Sequence, residues 1–251
     1  MSSEPKTTID PKENAFFNSL SDVWWDEAEL KFLIDVNNLF MPYIREQIIS
    51  TGITKLNQKD PLVGLNILEV GCGGGFLSEQ LIRTGCTLTA IDISDDLIHI
   101  AKARAKDDPI LFKINYLTEA IEDHCKNNAQ TYDVVISSFV LEHVDDHKYF
   151  VKCCADCVKP TGSLFMSAVA DTFWAWLNVV FFSEVIFKTL PKGIHDREKF
   201  ISASAAEEMI KSHEFDILRT RGLVNNPITQ RNYWVPTTAV LYLIHAIKKI
   251  N

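Results

Sequence analysis

Leu68-Glu69-Val70-Gly71-Cys72-Gly73-Gly74-Gly75 is an apolar strand that runs directly into glycines, and helical spacing resumes at Phe76. A buried strand, a glycine turn and a helix in that order make a place where backbone can approach a ligand with no side chain between them. The dinucleotide fingerprint G-x-G-x-x-G does not fit: counted from Gly71 its third glycine falls on Phe76, and counted from Gly73 its last falls on Ser78. About 20 residues further on, Ile91-Asp92-Ile93-Ser94 closes the next apolar run with a carboxylate, the place where such an acid receives ribose hydroxyls. Asp92 is read as that ribose partner and not as a helix cap, since Ser94 and Asp95 can fill the capping role.

Working outward, apolar strand runs alternate with helical runs. Strands are expected at 66–70, 87–91, 111–116, 133–137 and 163–168, with helices at 76–83, 95–105 and 148–158 between them. This alternation predicts an α/β fold, a parallel sheet with helices on both faces. A helix at 203–212 and terminal strands near 215–222 and 240–246 follow. Ahead of the first strand, Phe16, Phe17, Leu20, Val23, Trp24 and Trp25 recur at helical spacing, as do the apolar positions of 30–49. The expected division is therefore an N-terminal helical cap at 1–60, serving as lid or brace, and a main domain at 61–251. The apolar stretch 172–197 reads as an insertion in that domain.

The 251 residues are 47% hydrophobic and 23% charged, which fits one ordinary globular core. A net charge of -8 disfavours a nucleic-acid partner, because phosphate binding relies on clustered Lys and Arg. The six cysteines follow no secreted-domain framework and are expected as free thiols in a reducing compartment. Cys153-Cys154-x-x-Cys157 lacks a second ligand pair and reads as helix packing rather than zinc. Residues 1–14 carry acids and no apolar run, unlike a signal or transit peptide, so the chain is expected to be cytosolic or already trimmed.

At this point the chain resembles the class I S-adenosylmethionine methyltransferases, and within them the ubiquinone-biosynthesis O-methyltransferases. The likeness is carried by Trp24-Trp25-Asp26, Asp35-Val36-Asn37, Gly71 to Gly75, Leu141-Glu142-His143-Val144, Val158-Lys159-Pro160, Pro191-Lys192-Gly193-Ile194-His195-Asp196, Lys199-Phe200 and Gly222-Leu223-Val224-Asn225-Asn226-Pro227. The resemblance implies a seven-stranded Rossmann-like sheet and S-adenosylmethionine as cofactor. It places Glu69, Gly71, Cys72, Gly73 and Asp92 around that cofactor, with Ile93 against the adenine and Leu117, Thr118 and Ser138 lining the same pocket. It further implies a lipid-like phenolic acceptor and an inner-membrane address on the matrix side in a mitochondrion, or a cytoplasmic one in a bacterium. A biosynthetic complex or a homodimer is implied in the same way.

Glu142 and His143 follow the fourth strand and face the cleft beyond its carboxyl end, where His143 can serve as general base for a phenol. The family pattern there is Glu-x-x-Glu-His with a divalent cation, Mg or Zn, which would make Glu142 and His143 metal ligands. This chain departs from it: Phe139 holds the first carboxylate position, Phe40 stands where relatives carry an arginine, and Ala168-Val169-Ala170-Asp171 replaces Ser/Thr-x-Asn-Arg. Three readings follow, namely an O-methyltransferase with altered cation use, a methyltransferase of another small apolar acceptor, and a non-catalytic relative. Residues 173–187, rich in Trp, Phe and Val, are expected either as a buried helix or dimer face or as a contact with a membrane surface. His195-Asp196 is a candidate on the substrate side.

Overall fold

The computed structural model describes residues 7–54, 60–175, 199–226 and 231–250, without the side chains of residues 27–29. Two helices, α1 (Pro11–Ser19) and α2 (Glu27–Ser50), precede the sheet. Asp10 caps α1 by accepting from the Lys12 amide, and Pro11 at the first turn has no N–H to leave unpaired. Pro42 lies inside α2. The strands β1 (Asn66–Val70), β2 (Thr87–Asp92), β3 (Asn115–Thr118), β4 (Tyr132–Ser138) and β5 (Val158–Val169) are linked by α3 (Phe76–Ile82), α4 (Asp95–Ala105), α5 (Ile121–Asn127) and α6 (His147–Cys157). After them come α7 (Ala203–Lys211), β6 (Phe215–Asn226), β7 (Arg231–Val235) and β8 (Leu241–Lys248).

The sheet order is β3-β2-β1-β4-β5-β8-β6-β7. The first five strands pair in parallel, as the alternation requires, and β8, β6 and β7 join antiparallel. The sheet has eight strands, not seven. The extra one, β7, is a short strand folded back on β6, and its Arg-Asn-Tyr-Trp-Val lacks the apolar run that marks the others. The 111–116 strand expectation also shifts: Leu111–Lys113 is a 3-10 turn and pairing starts at Asn115. Strand order reverses between β1 and β4, so the crevice beyond their carboxyl ends is where an open α/β sheet binds ligands.

The core runs along both sheet faces through Ile67, Leu68, Val134, Val135, Leu164, Phe165, Leu243 and Ile244, all essentially inaccessible. Strands buried on both faces explain why their sequences read as continuous apolar runs rather than alternating ones. Among the described residues no helix is long and apolar enough to cross a membrane. The apolar stretch enters the described region only through residues 172–175, where Phe173 and Trp174 stand exposed. Residues 176–198, which hold most of the expected 172–197 insertion with Lys192, Gly193, His195 and Asp196, lie outside the described residues, as does Pro227.

Candidate active site

Gly71, Gly73 and Gly75 have φ of 72°, 53° and 95°. These are left-handed values that side chains resist. Space forbids a side chain as well: a Cβ on Gly71 would lie 2.2 Å from Val140, and one on Gly73 would lie 2.4 Å from the Trp24 ring. The turn is hooked to the neighbouring strand by the Gly71 and Cys72 amides, which donate to the Ile91 carbonyl at 2.8 and 3.1 Å. Asp92 closes it from below, its carboxylate accepting from the Gly73 amide at 2.8 Å and the Ser94 amide at 2.9 Å. Burial pushes the Asp92 carboxyl up, against the pull of those amides, so the acid sits in a poorly solvated place with lone pairs to spare. Glu69, in β1 two residues before Gly71, accepts from Ser78 Oγ, and burial raises its carboxyl to about 8.

A cavity of about 190 Å³ opens above this turn. Glu69, Gly71, Cys72, Gly73, Asp92, Ile93, Ser138 and His143 all line it. Leu117 and Thr118 do not. Thr118 pairs in register with Asp92, and it is Glu119 and Ile121, just beyond, that reach the cavity. The other wall belongs to the N-terminal segment, through residues such as Glu13, Asn14, Phe17, Trp24 and Asn37. Buried Asn14 Oδ1 and Trp24 Nε1 lack hydrogen-bond partners among the described residues, and both residues line the cavity. Unpaired buried polar atoms are uncommon, and these two belong to residues in the cavity wall. Together with the bare glycine backbone and the Asp92 carboxylate, these groups fit a nucleoside carrying an amino-acid chain, the composition of S-adenosylmethionine.

His143 sits in the 3-10 turn Leu141–His143 after β4. Its Nδ1 lies 3.1 Å from Glu13 Oε2, and the Phe17 ring meets it edge-on at 4.9 Å and 85°. Burial lowers the imidazole pKa, but the Glu13 hydrogen bond and the charges of Glu142 and Glu13 outweigh it, leaving His143 raised. Glu13 was not singled out from sequence. Its spacing marks it only as one acid on a short polar helix, and the contact spans 130 positions.

The cation that the resemblance implies is not matched by the residues present. Phe139 occupies the first carboxylate position, and its ring stacks on Phe40 at 5.6 Å and 14°. Glu142 does not line the cavity; it is buried, its Oε2 lacks a partner among the described residues, and burial raises its pKa. A hard divalent ion wants several ionised oxygens at one point. Among the described residues no group of three or more His, Cys, Asp and Glu is placed to hold a metal. No catalytic step is therefore routed through one.

Residues 68–166 match the methyltransferase-domain family. The mitochondrial ubiquinone biosynthesis O-methyltransferase of Bos taurus is 37% identical over 248 residues, 98% of this chain and 67% of the relative. The ubiquinone biosynthesis O-methyltransferase of Salmonella paratyphi A is 36% identical over 242 residues, 96% of this chain and 95% of that one. Among solved structures, the magnesium protoporphyrin IX methyltransferase of Synechocystis PCC 6803 with bound SAH superposes with a TM-score of 0.65 at 18% identity, covering 94% of this chain and 98% of that one. This last likeness speaks to the fold.

Proposed function

Since the chain belongs to the ubiquinone biosynthesis O-methyltransferases, and is thus an S-adenosylmethionine-dependent methyltransferase, we propose that it methylates a phenolic oxygen of a prenylated catechol with His143 as base. The observation that carries this reading is the meeting of three separate strand ends, at Gly71 to Gly73, Asp92 and His143, on one cavity. The cofactor supplies an electrophilic methyl on a sulfonium. The chain supplies the rest. Asp92 receives ribose hydroxyls, Ile93 and Ser138 flank the nucleoside, and the glycine turn lets backbone approach the amino-acid portion. Glu69 and Cys72 form the floor. Trp24, Phe17 and Leu33 exclude water from the transfer path, which favours an oxygen nucleophile whose proton is taken as the new bond forms.

Replacing His143 by Ala is expected to cut turnover by about 10² to 10⁴, the usual contribution of a positioned base, while S-adenosylhomocysteine affinity stays within about twofold. The assay is labelled-methyl transfer to a prenylated dihydroxybenzoate alongside calorimetric titration with S-adenosylhomocysteine. Unchanged turnover removes His143 from the mechanism, and no heat of binding at all favours the non-catalytic reading.

The Phe40–Phe139 stack supports a second acceptor class, since it makes this wall apolar where a chelated catechol would want charge. Comparison of plain and prenylated catechols with another small apolar phenol, each with and without magnesium, distinguishes the two by product identity.

The mammalian relatives are named mitochondrial and the bacterial ones are not, so the compartment follows the host. A matrix-side inner-membrane position belongs to this proposal, as does a membrane approach through 173–187. Exposed Phe173 and Trp174 support that approach. Liposome flotation of Trp174→Ser against the unaltered chain tests it, and equal flotation speaks against the approach.

A further inference from the structure

Glu13 and Phe17 stand four positions apart on α1, hence on one helical face, and both grip the same imidazole. The hydrogen bond fixes where Nδ1 points; the Phe17 edge fixes the ring plane. The helix that carries them is itself fastened to the backbone just after His143. Ile9 forms an antiparallel bridge with Val144, and the Asp145 amide donates to the Thr8 carbonyl at 3.1 Å. Lys199 joins the same frame by pairing with both Asp10 and Asp145. Glu13 and His143 thus share one rigid mount although they are far apart in sequence. Glu13 is nearly buried, its side chain 9% exposed, so the contact is not a solvated surface pair of little consequence.

We propose that Glu13 is the positioning residue of the methyl-transfer reaction: it holds His143 in the tautomer with hydrogen on Nδ1, leaving the Nε2 lone pair to take the acceptor's phenolic proton. The inference rests on the reading of His143 as base. A neutral imidazole has one N–H, and a carboxylate can only accept, so pairing Nδ1 with Glu13 assigns that hydrogen. The charged groups near enough to act on the ring are Glu13 from α1, Glu142 from its own turn and Lys199 from the segment ahead of α7. In the step itself the acceptor O–H proton goes to Nε2, the O–CH3 bond forms and the S–CH3 bond breaks. The sulfonium leaves as a neutral thioether. Because Glu13 arrives on the cap, the base is complete only when the cap is seated.

Three variants, Glu13→Gln, Glu13→Asp and His143→Ala, and the double variant Glu13→Gln with His143→Ala are compared in the full chain. Glu13→Gln is expected to lower kcat by at least about 10-fold, up to the about 10⁴-fold that a carboxylate-to-amide change costs beside a catalytic histidine, with acceptor KM and S-adenosylhomocysteine Kd within about twofold. Glu13→Asp is expected to recover part of that loss. The double variant should be no slower than His143→Ala, because the two residues act as a unit. If His143→Ala is impaired while Glu13→Gln is not, or if the two losses multiply, the positioning role is overturned and the base survives. If His143→Ala is itself unimpaired, the base reading fails instead. Nitrogen-15 NMR of the unaltered protein, at a pH high enough to leave His143 neutral, gives a readout that needs neither turnover nor a variant: Nδ1–H on His143 is expected, and an Nε2–H tautomer overturns the proposal.

Discussion

Asp92 shows how one side chain serves two scales of chemistry. Its oxygens already accept from Gly73 and Ser94, so the acid that is proposed to receive ribose also sets the shape of the turn beside it. Asp92→Ala is therefore expected to raise the S-adenosylhomocysteine Kd at least tenfold and also to lower unfolding free energy by about 1–3 kcal/mol, the cost of leaving buried donors unpaired. Calorimetry and urea titration measure the two effects, and an unchanged Kd would remove Asp92 from the cofactor's partners. The glycines and Asp92 were legible because their requirement is local: a left-handed backbone and a strand-end acid leave a mark within a few positions. Leu117 and Thr118 rest on the resemblance alone, and in the structure it is Glu119, one residue past the end of β3, that lines the cavity.

At the scale of the element, α2 and β7 are joined by an aromatic column. Phe139 stacks on Phe40, Phe40 on Trp234 at 5.6 Å, and Trp234 leans on Tyr43 at 4.8 Å, with Arg221 over both of the last two rings. Phe40→Ala is expected to destabilise the fold by about 3–5 kcal/mol, measured by chemical denaturation. A loss below 1 kcal/mol would show that the column is not the tie it looks to be. The sequence puts Phe40 and Tyr43 on a helix but marks no element at Trp234, so their pairing is decided only by how β7 folds back on β6. In β8, His245 is fully buried, stacked on Phe165 at 4.1 Å with Nε2 3.1 Å from Ser163 Oγ, and burial drops its pKa to about 4. The unfolded chain takes up this proton near pH 6.5 while the folded one refuses it until about 4. Stability is thus full above pH 6.5 and falls as pH drops through that window. The loss is on the order of 3 kcal/mol by linkage. Denaturant titrations at pH 7 and pH 5 should show a drop that His245→Phe abolishes; equal drops in both proteins would trace it to other groups.

Across the whole molecule, the N-terminal segment lies over the cavity like a strap. Thr8 donates through its amide and hydroxyl to Glu122, and Thr7 adds a third bond to the same carboxylate. Asp10 meets Lys199, and Ser94 Oγ donates to Asn18. Glu122→Ala is expected to make residues 7–26 cleave faster in limited proteolysis and to weaken S-adenosylhomocysteine binding, with the midpoint of global unfolding little changed. Cleavage no faster than in the unaltered chain would mean that the strap is held elsewhere. Amphipathic spacing marked the N-terminal helices but not what they lie over, because the hydrogen bonds that tie down Thr8, Asp10, Glu13 and Asn18 join residues more than 70 positions apart. The sheet order adds a last consequence, for biosynthesis. β8 lies between β5 and β6, so β6 and β7 cannot join the sheet until Leu241–Lys248, which follow both of them in the chain, have been made. Nascent chains stalled before Leu241 should therefore stay open to a chaperone or protease.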